Sequence, residues 1–325
     1  MKGGERMKQV IRLAGVALAV VLVAAVGAIG QGTYPTKPIT LVTHSSVGSG
    51  GDIFLRNLAK GLEGIVNVPL VVENRAGGSS ARAVTYVATS PQDGYILYGS
   101  TPTMLQTPIL NTTPHSFLNL QPVANVFFDP MILYVKNDSP WKTLTDIVSA
   151  AKQRPGTIRF GAATPGSVEH MIAHQIQKVA KIQVQPVTFE GGGDLLLAVL
   201  GGHVDLGVGE FAEVASQVQA RQVRVINSFT AQRLTGTTIP TAKEQGIDIV
   251  VEKFRGLLGP KGMDPGAITY WENAVKQVLA KTAYRTYYSS VYLVPAYMDH
   301  NQYNAYLHRM NQTLRRYMKE IGVIK

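Results

Sequence analysis

From Ile39 onward, short β-branched apolar runs alternate with longer stretches whose apolar positions recur every three or four residues. This is the pattern of strands and amphipathic helices in βαβ succession. "ITLVTH", "PLVVEN" and "YILYGS" predict strands, and "GDIFLRNLAKGLEGI" and "SSARAVTYVATS" predict the helices between them. The rhythm returns in "TIRFGAA", "SVEHMIAHQIQKVA", "IQVQPVTF", "GGDLLLAVLGG", "VDLGVG" and "VRVINSF", so the chain reads as two α/β blocks, each a mixed sheet flanked by helices. Between them, "PVANVFFDPMILYVKNDSP" holds two apolar runs broken at Asp129-Pro130, where proline restricts its predecessor and bends the chain. A strand that leaves one block and enters the next has this form. A second crossing is expected around "VRVINSFTAQR", which assigns residues 31–128 and 231–325 to one lobe and 129–230 to the other. Two crossings make a hinge, and the ligand site of such a fold lies between the lobes. The stretch from Met298 to Lys325 predicts a long amphipathic helix that packs one face.

The first thirty residues break the pattern. Lys2, Arg6, Lys8 and Arg12 lead into "LAGVALAVVLVAAVGAIG", an uncharged run that ends in small residues. That is the layout of a secretory signal with cleavage near Gly30, and an uncleaved anchor is the alternative. No later segment is apolar enough to span a membrane, so a soluble, exported chain is expected. The full sequence carries +10. Residues 1–30 hold four bases and one acid, a net three charges, which leaves +7 by the same count. Lys and Arg are scattered without an aromatic-rich basic segment, which points away from nucleic acid and toward a diffuse field that draws in small anions. The absence of cysteine excludes disulfides and thiolate chemistry.

In open α/β sheets, ligands gather where strand ends feed helix N-termini. Four loops of that kind stand out: "HSSVGSGGD" (His44–Asp52), "GSTPTM" (Gly99–Met104), "AATPGSVEH" (Ala162–His170) and "FEGGGD" (Phe189–Asp194). They are rich in Gly, Ser and Thr, and none carries a lysine. Free N–H groups at helix starts bind anions without a basic side chain. The enzyme motifs fail in detail. Ser49 in "VGSGG" is not a G-x-S-x-G elbow, and no Walker A or G-x-G-x-x-G loop is present. His170 and His174 have a spacing that can bind a metal, but the acid precedes the first His and no third ligand is evident, so no metal is assigned. Asp52 and Asp194 fall in first helical turns and read as caps. Glu210 ends a strand, where it meets either an ammonium or solvent. Phe189 and Phe211, with Glu190 beside the first, read either as an apolar wall for an aromatic ligand or as core, the commoner place for an aromatic at a strand end.

With these loops in view, the chain resembles the substrate-binding proteins of tripartite tricarboxylate transporters, the Bug-type receptors. The likeness starts at "YPTKPITLV" and runs through "PLVVENRAGGSS", "SPQDGYILYGST", "GAATPGSVEHM", "GGHVDLG" and "RVINSFTAQR…TIPTAKEQG". Each piece is weak alone; their number, order and spacing carry the resemblance.

The resemblance implies a two-lobed periplasmic binding protein fold with no enzymatic activity and no cofactor. It implies a monomer that closes on a small carboxylate and presents it to a membrane permease. One ligand carboxylate would be held by backbone groups around His44, Ser45, Ser46, Val47, Gly48 and Ser49 and around Thr164, Pro165, Gly166 and Ser167, with Thr101 and Thr103 beside them. His170, Phe189, Glu190, Glu210 and Phe211 complete the expected site. The chain departs from the family in its polar "HSSVGSGG" loop, in Thr107-Pro108, and in "FEGGGD", where a tyrosine and a lysine are frequent. Loss of that lysine points away from a tricarboxylate and toward an aromatic acid or a short dicarboxylate. The rival readings are a periplasmic hydrolase using a loop serine with His44 or His170, and a receptor that feeds a membrane sensor.

Overall fold

The alternation along the chain resolves into two mixed sheets. The structure, a computed structural model, describes residues 34–164, 166–320 and 322–325. The expected leader and Pro165 lie outside the described residues. Lys37–Lys325 form one unit; of the other, Met1–Thr36, only residues 34–36 are described.

The first sheet is built from β1 (Ile39–Thr43), β2 (Leu70–Asn74), β3 (Ile96–Gly99), β4 (Leu120–Asp129), β10 (Lys253–Pro260) and β11 (Val294–Met298). Its order is β11-β4-β10-β3-β1-β2. β1 pairs in parallel with β2 and β3, while β10 runs antiparallel to β3 and β4. The second sheet holds β5 (Met131–Lys136), β6 (Arg159–Ala163), β7 (Gln185–Phe189), β8 (Leu206–Glu210) and β9 (Val223–Ser228), in the order β7-β6-β8-β5-β9. β4 and β5 are buried almost continuously rather than at alternate positions, because helices and loops cover both faces.

Ten helices among the described residues flank the sheets: α1 (Gly50–Leu62), α2 (Ala81–Ala88), α3 (Thr103–Leu110), α4 (Leu144–Gln153), α5 (Val168–Ala180), α6 (Gly192–Leu200), α7 (Phe211–Gln219), α8 (Pro265–Ala280), α9 (Thr282–Ser290) and α10 (His300–Glu320). α10, the expected C-terminal helix, buries Tyr303, Leu307, Leu314 and Met318 in the core of the first sheet with Phe254 and Leu258. The second core gathers Met131, Leu133, Phe160, Ile172, Leu206 and Val208.

One proline separates the two sheets on the outward passage, since β4 ends at Asp129 and β5 begins at Met131. On the return the crossing falls later than the sequence suggests. Ala242, Ile247 and Ile249, expected in the first lobe, belong to the second core, and the Val251 N–H bonds the Phe229 carbonyl at 2.8 Å. The chain re-enters the first sheet only at Lys253. Their apolar side chains lack the regular period of a strand or helix, so nothing local says which core takes them.

The return strand is held in place by close packing at Gly256. A methyl group there would lie 2.5 Å from the Ala124 carbonyl oxygen and 2.8 Å from the ring of Tyr303. The Tyr303 hydroxyl is itself tied to Ser100 Oγ at 2.6 Å. Gly256→Ala is therefore expected to destabilise the fold by about 1–3 kcal/mol, the usual cost of overpacking. Urea unfolding should show a lower midpoint at unchanged slope; an unshifted midpoint would mean that β4 and α10 yield freely.

Candidate functional site

Loops that end β1, β3, β6, β7 and β8 converge on one small cavity of about 20 Å³, together with the first residues of β10. It is lined from the first sheet by His44, Ser45, Ser49, Gly50, Gly51, Thr101, Thr103, Lys253 and Arg255, and from the second by Ala163, Thr164, Ser167, Glu169, Gly191, Gly192, Glu210 and Glu213. That volume admits about one water, so a larger occupant requires the two sides to separate.

The strongest contacts across the cavity are ionic. Lys253 touches Glu169 and Glu210, and Arg255 touches Glu210 and, at 3.1 Å, Asp129 at the end of β4. All of these side chains are buried. Strand alternation puts Lys253 and Arg255 on the cleft side and sends Phe254 between them into the core. Burial works to raise the Glu210 carboxyl, but the charges of Lys253 and Arg255 outweigh it and hold it at about 2. Glu213 moves the other way, well above the carboxylate range, through burial and the neighbouring charge of Glu210. Burial also raises Asp129 to about 7.

Helix starts supply the rest. Gly50 N–H, at the first turn of α1, donates to Glu213 Oε1 at 2.7 Å, so a carboxylate from the second side rests on a helix N-terminus of the first. Glu213 also accepts from the Glu210 N–H at 3.2 Å, completing a capping box on α7. Ser46 Oγ donates to Asp194 Oδ2 at 3.3 Å, a second bond between the sides. Asp52 stays local: it accepts from the Gly48 N–H at 3.0 Å and from Arg56 and Asn74, pinning its own loop.

Eight of the expected residues line the cavity: His44, Ser45, Ser49, Thr101, Thr103, Thr164, Ser167 and Glu210. The Tyr98 hydroxyl and His44 Nδ1 share a buried hydrogen bond of 2.9 Å, which fixes the orientation of the ring. Burial, with Arg255 and Lys253 nearby, lowers His44 to about 3. Ser167 is committed to structure, capping α5 through the His170 N–H and donating to the Ala163 carbonyl.

Other expected residues lie elsewhere. Val47 is 70% exposed, Glu190 is exposed, and Gly48 takes a left-handed conformation (φ 79°) in the turn. Gly166 and His170 line a separate cavity of about 580 Å³ with His174, Leu110 and Met318, where the Gly166 N–H donates to His170 Nδ1 at 3.1 Å. The two phenylalanines do not form a wall to the cleft. Phe211 turns edge-on to Tyr292, 4.7 Å between centroids, and Phe189 meets the Thr164 N–H only through its backbone carbonyl.

The sequence patterns passed over Lys253, Arg255, Glu169 and Glu213. The readable signal was the pair of cations two apart in "EKFRGLLGP", which a strand places on one face.

The family model described as "Tripartite tricarboxylate transporter family receptor" matches residues 54–323. The chain belongs to this family. It is a periplasmic, non-enzymatic solute receptor of the tripartite tricarboxylate type, a family whose members bind small carboxylates and work with membrane permeases. Among curated relatives it is 28% identical over 298 residues to "UPF0065 protein in gbd 5'region" of Cupriavidus necator, covering 90% of each chain. Among solved structures it is similar to an R. palustris protein with adipate (TM-score 0.85, 23% identity, 89% of this chain and 98% of that one). It is also similar to MatC from Rhodopseudomonas palustris with bound malate (TM-score 0.80, 21% identity, 90% and 100%). These likenesses establish the two-lobed α/β fold of periplasmic binding proteins.

Two outcomes test the receptor's charged cleft. Removing one partner of a buried ion pair leaves the other uncompensated, so Lys253→Met should cost on the order of 3–5 kcal/mol in denaturant unfolding; a loss below about 1 kcal/mol would place the cluster in water. His44 stays neutral in the fold down to about pH 3, whereas in the unfolded chain it takes a proton below about 6.5. Its share of the stability is thus intact above about pH 6.5 and declines by about 1.4 kcal/mol per pH unit as pH falls toward 3. Unfolding measured from pH 7 to 4 should show a shallower loss for His44→Gln than for the wild type, and parallel curves would refute the assignment.

Proposed function

We propose that this receptor binds a small organic carboxylate, an aromatic acid or a short dicarboxylate, by closing its cleft, and delivers it as a single chain to a tripartite permease. What carries the reading is the convergence of three helix starts (α1, α5 and α6) with Lys253 and Arg255 on one cavity at the strand ends. Helix N-termini and buried cations both stabilise a carboxylate, and they do so most strongly where water is excluded. The adipate and malate held by the two R. palustris proteins support a dicarboxylate of modest length. Candidate ligand contacts are His44, Ser45, Ser49, Thr101, Thr103, Thr164 and Glu210, with the first-turn amides of the three helices beside them.

Closure needs glycine where the loops meet. A side chain at Gly191 would run into the hydroxyls of Ser46 and Ser49 on the opposite loop. Opening relieves that overlap, so the lobes still fold while the liganded, closed state is penalised. A thermal-shift screen of mono-, di- and tricarboxylates and aromatic acids should find a selective stabiliser, since a ligand at a hundred times its Kd adds about 2.7 kcal/mol. Calorimetry of that ligand should then show at least tenfold weaker binding to Gly191→Val. A flat screen with folded protein would sink the carboxylate reading, and unchanged affinity in the variant would sink the closure geometry. Delivery is tested by uptake of the labelled ligand in cells, which should cease on deletion of the receptor.

A further inference from the structure

A carboxyl group already sits where helix starts meet in the cleft, and it belongs to the chain itself. Glu213, in the first turn of α7, is 8% exposed and lines the cavity. Its Oε1 accepts from the N–H of Gly50, the first residue of α1, at 2.7 Å, and its Oε2 accepts from the Glu210 N–H at 3.2 Å. Gly192 and Gly209 wall the group. A methyl at the first would strike the Glu213 carboxyl, and one at the second would lie 2.5 Å from Oε2. Gly192 opens α6, so three helices, α1, α6 and α7, begin around this one carboxyl.

Capping α7 does not require that position. In α4, Asp146 does the same work as an exposed residue, accepting from the Thr143 N–H at 2.9 Å within its own segment. Glu213 gives its own helix the longer bond and the opposite lobe the shorter one. Burial, and then the charge of Glu210, raise it well above the carboxylate range, so it holds a proton that it donates to the Glu210 side chain. Burying a carboxyl is unfavourable, and a cap gains nothing from it. What the burial achieves is to fill the cleft, which is left with room for about one water.

We infer that Glu213 is an internal ligand of the cleft: its side chain fills the seat that a solute's carboxyl group takes on binding, and the solute must expel it. The exchange buries no extra charge. The entering carboxylate takes up the proton in the seat, and Glu213, turned out as the lobes part, becomes the carboxylate in water. Every solute thus competes with a group tethered to the same chain, whose effective concentration is high. Only acids that make further contacts in the cleft overcome it, so Glu213 screens out small monocarboxylates. The inference rests on the proposed carboxylate reading and adds what a bound acid has to displace.

Vacating the seat provides the test. Sodium acetate or propanoate at about 50 mM and about pH 6 should raise the thermal midpoint of Glu213→Ala by about 2 °C over equal sodium chloride, and leave the wild type unmoved. Glu213→Asp caps α7 in the manner of Asp146 but falls one methylene short of Gly50, and it carries the test if the alanine variant fails to fold. Adipate, malate, benzoate and the strongest stabiliser from the acid screen are titrated calorimetrically into wild type and Glu213→Asp. At least one should bind the variant about fivefold tighter. No stabilisation of a folded Glu213→Ala by either small acid, or an equal rise in the wild type, overturns the seat. Equal or weaker binding of every acid to Glu213→Asp overturns the competition, while their binding to wild type leaves the carboxylate reading standing. No binding of any acid to either protein fells the carboxylate reading and the inference with it.

Discussion

Buried charge at the junction of the two sheets governs this molecule. Lys253 and Arg255 enter the cleft from the return strand of the first sheet, and the carboxylates that meet them come from the second sheet and from the strand junction. Such pairs add little to stability relative to well-packed apolar residues, because desolvation offsets much of the attraction. Their value is geometric. An unpaired charge is so unfavourable in a dry site that the lobes can meet in few registers, and the register that pairs these groups brings the helix starts into line.

Closure and recognition therefore depend on the same atoms. Glu213 rests on the Gly50 amide, and Ser46 meets Asp194, so the first-lobe loop already touches acceptors from the second lobe across a cavity of about 20 Å³. When the cleft opens, these groups return to water; when it closes on a solute, the solute must replace what it displaces. A ligand shifts this balance only by binding the closed arrangement better than the open one. The tight approach at Gly191 and the buried Tyr98–His44 pair make the closed arrangement specific, since neither tolerates extra volume or charge.

Much of this was legible along the chain. Strand and helix periods located β1 to β9 and the helices α1, α2, α5 and α6, because each buries an apolar face whose spacing is local. Asp129-Pro130 marked the outward crossing for the same reason: proline acts on its neighbours whatever the fold. The loops rich in Gly, Ser and Thr were found at strand ends, and eight of the expected residues do line the cavity. For Phe211 and Phe189 the sequence left two roles open, ligand wall or core, and Phe211 is buried in the packed protein. An aromatic at a strand end packs wherever a neighbour offers surface, and Tyr292, far off in sequence, takes Phe211.

By itself, the sequence determined the succession of elements, the helix starts that favour anions, and the family likeness carried by ordered short motifs, since all depend on neighbours within a few residues. Only the tertiary structure decided that Lys253 and Arg255 face the cleft, that Glu169 and Glu213 join Glu210 there, and that the return crossing waits until Lys253. The physical reason is distance along the chain. Glu169 and Lys253 are 84 residues apart, and Gly50 and Glu213 are 163 apart. A carboxylate looks the same in sequence whether it ends in water or against a buried ammonium, and only the packing of two sheets distinguishes them.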